Sequence, residues 1–75
     1  MTNPQELQDY LNERGLRADG WTIKQCRNCT LVSFTMFTWQ NVSALLERAR
    51  FNVNLTVWTG PKVNHYKIEA RFDIH

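Results

Sequence analysis

Two cysteines, two histidines and a scatter of carboxylates are the side chains here that could bind a metal or act as acid, base or nucleophile. Cys26-Arg27-Asn28-Cys29 has the spacing of half a zinc knuckle, because two thiolates that close together at a tight turn can share one tetrahedral ion. Only His65 and His75 could complete the set, and their separation lies outside finger spacing, so neither a metal nor a cofactor is expected. A thioredoxin-type role needs the first cysteine at a helix N-terminus, where the thiolate is stabilised. Here the pair flanks a turn between strands, and two reduced thiols facing each other are expected.

His65 is the candidate general base. Nucleophilic catalysis requires such a base within hydrogen-bond reach of a hydroxyl or thiol, with a third group orienting it. No Ser, Thr or Cys stands at an informative spacing from His65. Glu69 and Asp73 alternate with Lys67 and Arg71, as in a solvated charge ladder rather than a catalytic carboxylate pair. The sequence therefore predicts a protein that is not an enzyme.

What positions these groups is a regular succession of elements. Asn3 as N-cap, Pro4 at the first helical position and Glu6 three residues after the cap announce a helix that Gly15 stops. Leu7, Tyr10, Leu11 and Arg14 fall on one stripe, and Leu16 is placed to pack across the helix end. Arg17-Ala18-Asp19-Gly20 reads as a linker. Alternation over Trp21–Cys26 and Cys29–Phe37, with Arg27-Asn28 as the turn, predicts a hairpin pairing Ile23 with Val32, Trp21 with Phe34 and Lys24 with Leu31.

Thr38 caps a second helix from Trp39 to about Arg50, with Trp39, Val42, Leu45, Leu46 and Ala49 at helical period. A second hairpin runs from Phe51 to Ile74. A turn centred on Gly60-Pro61 sets Leu55 against Tyr66 and Val53 against Ile68 inside, Asn54 against Lys67 outside, and His65 beside Thr56. The expected fold is α+β, in the order helix-hairpin-helix-hairpin (αββαββ), with a four-stranded antiparallel sheet and two helices on one face. The helical positions 7, 10, 11, 14 and 16 map onto 42, 45, 46, 49 and 51, an offset of 35 that would fit an internal repeat or two amphipathic helices each followed by a hairpin.

Seventy-five residues make one small domain, 1–75, which buries about 60% of the surface its unfolded chain exposes. With 43% hydrophobic and 21% charged residues, the chain is too apolar for disorder and too interrupted for a membrane span. The N-terminal stretch has no basic segment followed by an apolar run, so cytoplasmic residence is expected, and the Asn-x-Ser/Thr triplets at Asn28, Asn41 and Asn54 read as chance. The net charge of +2 hides an acidic first twenty residues and a basic remainder, but a pI of 8.8 is modest for a nucleic-acid domain.

Two helices can cover only one side of such a sheet, and antiparallel sheets tolerate a wet face. The registers put Lys24, Leu31, Phe37, Asn54, Trp58, Val63, His65, Lys67 and Arg71 on the uncovered side. Of these, Trp58, Lys67, Arg71, His65, Asn54, Phe37 and Lys24 are the candidate partner-binding residues. Trp, Phe and Arg are enriched at protein interfaces. The expected function is a non-catalytic protein-binding module, an inhibitor or adaptor of bacteriophage or mobile-element type that occupies a partner's surface. The alternative is a nucleic-acid-binding accessory protein using the basic and aromatic groups of this face. No membrane partner is expected, and a homodimer through the open face or an edge strand is the remaining option.

Overall fold

The computed structural model describes residues 3–48 and 54–73. Helix α1 spans Pro4–Glu13, strands β1 and β2 span Ala18–Gln25 and Cys29–Phe37, helix α2 spans Trp39–Arg48, and strands β3 and β4 span Asn54–Thr59 and His65–Asp73. The strands form one antiparallel sheet in the order β1-β2-β4-β3. The molecule is a small α+β fold with a four-stranded open sheet. Residues of both helices (Leu7 and Leu11, Val42 and Leu45) share one core with Val32, Phe34 and Met36 of β2 and Ile68, Ala70 and Phe72 of β4. That makes two layers. The thinnest dimension, 17 Å, agrees.

Helix α1 is delimited as its sequence demands. The Asn3 side chain accepts the Glu6 N–H at 2.9 Å, which satisfies one of the helix's unpaired first-turn donors. At the other end Gly15 takes φ 66°, a left-handed conformation that penalises any Cβ. Gly15 then donates to the Asn12 carbonyl and Leu16 to the Leu11 carbonyl, at 3.2 and 2.9 Å, the paired bonds of a Schellman ending. Leu16 packs against the core beyond.

The first hairpin has the expected register close to its turn: Ile23 faces Val32, Lys24 faces Leu31 and Gln25 faces Thr30. The expected linker, however, is strand. Pairing resumes at Asp19 with Thr35 and Ala18 with Met36, so Gly20 and Trp21 together oppose Phe34 in a β-bulge. Gly20 supplies φ 70° there. The bulge restores the alternation, so that Trp21 stacks on Phe34 with ring centroids 4.4 Å apart. Ile23 stays 57% exposed although Val32 opposite it is fully buried, because the core is centred on β2 and β4 and Ile23 lies out on the edge strand.

Thr38 joins β2 to α2, its hydroxyl accepting the Asn41 N–H at 3.4 Å, but with φ 78°, unusual for a β-branched residue. Trp39 belongs to the period of α2 but not to its buried face: it is 53% exposed and leans on Tyr66, centroids 5.7 Å apart. The bounds of α1 and α2 are related by the same shift, Pro4 to Trp39 and Glu13 to Arg48. The two helix-hairpin halves thus meet at the central β2–β4 pair.

The second hairpin departs from its expected register. Leu55 faces Ala70, Val57 faces Ile68, Trp58 faces Lys67 and Thr59 faces Tyr66. The connection does not turn at Gly60-Pro61 but continues through Lys62, Val63 and Asn64, closed by the Gly60 N–H donating to the His65 carbonyl at 3.1 Å. Asn64 makes the longer loop workable by taking φ 60°, which its short polar side chain tolerates. The displacement is an even number of residues, so each side chain keeps its face while its neighbours change. Ala49, Phe51, Val53 and Ile74, which figure in the expected helix and hairpin, lie outside the described residues.

Candidate functional site

The sheet face away from the helices is built in rows across the four strands. The first row joins Lys24, Leu31, Arg71 and Asn54. The next joins Thr22, Ser33, Glu69 and Thr56, and the third Asp19, Thr35, Lys67 and Trp58. A last pair, Phe37 with His65, closes the sheet beside the start of α2. Four of the seven expected partner-binding residues, Trp58, Lys67, Phe37 and His65, therefore fall in the third row and the closing pair at one end, and Lys24, Arg71 and Asn54 fall in the first row at the other. Val63 does not belong to this face: it sits in the β3–β4 loop, 85% exposed.

The aromatic end is held by cation–π and edge contacts. Lys67 Nζ lies 5.9 Å from the Trp58 ring centroid across the β3–β4 pair. Arg17, at the approach to β1, places its guanidinium 4.7 Å over Phe37, and His65 meets the same ring edge-on at 5.1 Å. Trp58 remains 45% exposed, its indole offered to solvent with a cation beside it. Arg17, and the packing it gives Phe37, has no signal in strand periodicity, since Arg17 precedes the strand. Its sequence cue is the nearby Asp19, to which it forms an ion pair at 3.0 Å.

At the opposite end Arg71 bonds to Asp73 at 2.9 Å, an exposed pair that holds the guanidinium still more firmly protonated than usual. Cys29 faces Asp73 in the β2–β4 register. Its thiol is pushed above the ordinary thiol range, first by a hydrogen bond with Cys26 and then by burial. Asn54 lies across β4 from Leu31, on the far side of Arg71.

The charge of the face is nearly balanced. Arg17, Lys24, Lys67 and Arg71 are set against Asp19, Glu69 and Asp73, and two of the cations are already bonded to carboxylates. His65 does not stand beside Thr56, as the shorter turn would have placed it; the register brings Phe37 opposite it, and Thr56 faces Glu69. His65 and Cys29 cap opposite ends of β4 and β2, eight strand positions or about 27 Å apart, so they cannot act on one substrate atom or one metal ion. His75 lies outside the described residues. Among the described residues no three His, Cys, Asp or Glu side chains gather as a metal site, and no helix is long and apolar enough to cross a membrane. Compared with family models, with curated proteins and with solved structures, the chain matches none.

Proposed function

We propose that the protein is a non-catalytic protein-binding module that occupies a partner's surface with its open sheet face. One observation supports this above the rest: Trp58 and Phe37 sit at one end of a face whose cations and carboxylates nearly cancel. An exposed Trp beside a flexible cation can anchor a protein interface, where a few aromatic and Arg side chains carry most of the binding energy. Thr22, Ser33 and Thr56 of the middle row, with Thr35 beside Lys67, offer hydroxyls as donors and acceptors alongside the carboxylate of Glu69. An inhibitor or adaptor of the kind mobile elements encode fits this description. A nucleic-acid ligand is less favoured, because a phosphate-tracking groove wants free cations, and here Arg17 and Arg71 are bonded to Asp19 and Asp73.

Affinity capture from lysate with the tagged chain, repeated with Trp58→Ala, tests the proposal. A partner protein retained by the parent and lost at least tenfold by Trp58→Ala supports it. If Trp58→Ala retains every partner while Lys67→Ala and Arg71→Ala lose them, the aromatic anchor is wrong. Random single strands or duplexes that shift the protein at low salt and release it steeply as salt rises would favour nucleic acid instead.

A further inference from the structure

We infer that Cys26 and Cys29 form a dithiol–disulfide site, oxidised within one chain by small disulfides of the glutathione class. The backbone already holds the pair at bridging distance. Cys26 donates its N–H to the Cys29 carbonyl at 2.8 Å across the two-residue turn Arg27-Asn28. Residues that face each other across an antiparallel pair have Cα atoms about 4.5–5.5 Å apart, inside the 4.4–6.8 Å that a disulfide spans. The Cys26 side chain is also the first cause that pushes the Cys29 thiol above its ordinary range, as befits neighbouring side chains on one side of the turn.

Accessibility divides the labour. Cys26 is partly open to solvent, whereas Cys29 is buried. The Cys26 thiolate attacks one sulfur of the oxidant disulfide, forming a mixed disulfide and expelling one small thiolate. Cys29 then loses its proton and attacks the Cys26 sulfur, and the second small thiol leaves. Two electrons pass from the cysteine pair to the oxidant, and the two thiol protons end on the two released thiols. The ring closed is only the turn itself, so the bridge adds little stability and is readily reversed by excess reduced thiol. The site stands independently of what the open face binds.

The full-length chain equilibrated with reduced and oxidised glutathione at graded ratios, acid-quenched, alkylated with N-ethylmaleimide and weighed intact, tests the assignment. The expected product is a monomer about 2 Da lighter with both thiols closed to alkylation, at a midpoint independent of protein concentration. Cys29→Ser is expected to stop as a glutathione adduct on Cys26. Two alkylatable thiols at every ratio, a stable glutathione adduct on the parent chain, or a covalent dimer as the main product would each overturn the intramolecular site. Absence of an adduct on Cys29→Ser would overturn the role of Cys26 as the first attacking thiol.

Discussion

Replacing Phe34 with Ala measures how far the edge strand depends on one ring. Phe34 is 1% exposed and stacks on Trp21 at 4.4 Å with the planes 25° apart, and Trp21 with Ala18 is what β1 contributes to the core. A buried Phe→Ala change costs about 3–5 kcal/mol, transfer and cavity together. Total stability at roughly 0.05–0.15 kcal/mol per residue comes to about 4–11 kcal/mol for a chain of this length. The substitution therefore removes roughly a quarter of the stability at least. Trp21→Ala, at a half-buried position, should cost about half as much. Because the rings are stacked, the double variant should lose about 0.5–1.5 kcal/mol less than the two single losses added together.

Urea unfolding followed by far-ultraviolet circular dichroism gives all four stabilities without relying on the Trp21 signal. If Phe34→Ala proves too unstable, Phe34→Leu keeps the cycle measurable. A single Phe34→Ala cost below about 1.5 kcal/mol, or additivity within about 0.3 kcal/mol, would refute the stacked core contact. Amide exchange supplies the functional corollary. Loosening β1 should speed exchange in the strand that carries Asp19 and Lys24, ahead of β2 and β4.

Three further outcomes follow from individual residues. Tyr10 has the one buried side-chain oxygen without a partner among the described residues, so Tyr10→Phe should stabilise by about 1 kcal/mol in urea unfolding. Thr38→Asn keeps an N-cap acceptor while easing the φ of 78°, and should raise the melting temperature by an amount equivalent to about 1 kcal/mol. Because the hydrogen bond with Cys26 is the chief cause of the raised Cys29 value, Cys26→Ala should bring it down. Alkylation of Cys29 by iodoacetamide should then turn on at lower pH than in the parent protein, and an unchanged pH profile would contradict the thiol–thiol contact.

Local signals wrote most of this fold into the sequence. Asn3, Pro4 and Glu6 act within one turn of backbone, and Leu7 with Leu11 or Val42 with Leu45 repeat the helical period, so the helices are legible without knowing their partners. The strand faces are legible for a similar reason, since alternation survives any even change of register. Two features were not. The bulge at Gly20-Trp21 breaks alternation where it occurs, so Ala18-Asp19-Gly20 looked like linker until Thr35 and Met36 gave it partners. The β3–β4 loop depends on Asn64 adopting a left-handed conformation, which tertiary pairing selects and which Gly60-Pro61 masks as a turn signal. For the candidate site, each residue's face could be read but its contacts could not. That Lys67 lies across from Trp58 and Arg17 lies over Phe37 follows from register and from the path of the chain before β1.

The central position of β2 bears on how the chain survives its own synthesis. Its nine residues, from Cys29 to Phe37, include β-branched and aromatic side chains but neither a charge nor a proline, a composition prone to intermolecular cross-β stacking. While the nascent chain has β1 and β2 but not yet β4, one edge of this strand is an open template for other chains. The strand that finally covers it carries Lys67, Glu69, Arg71 and Asp73 in alternation. The charge ladder that gives the open face its polarity thus also acts as a gatekeeper, sealing the most aggregation-prone segment behind side chains that resist further stacking.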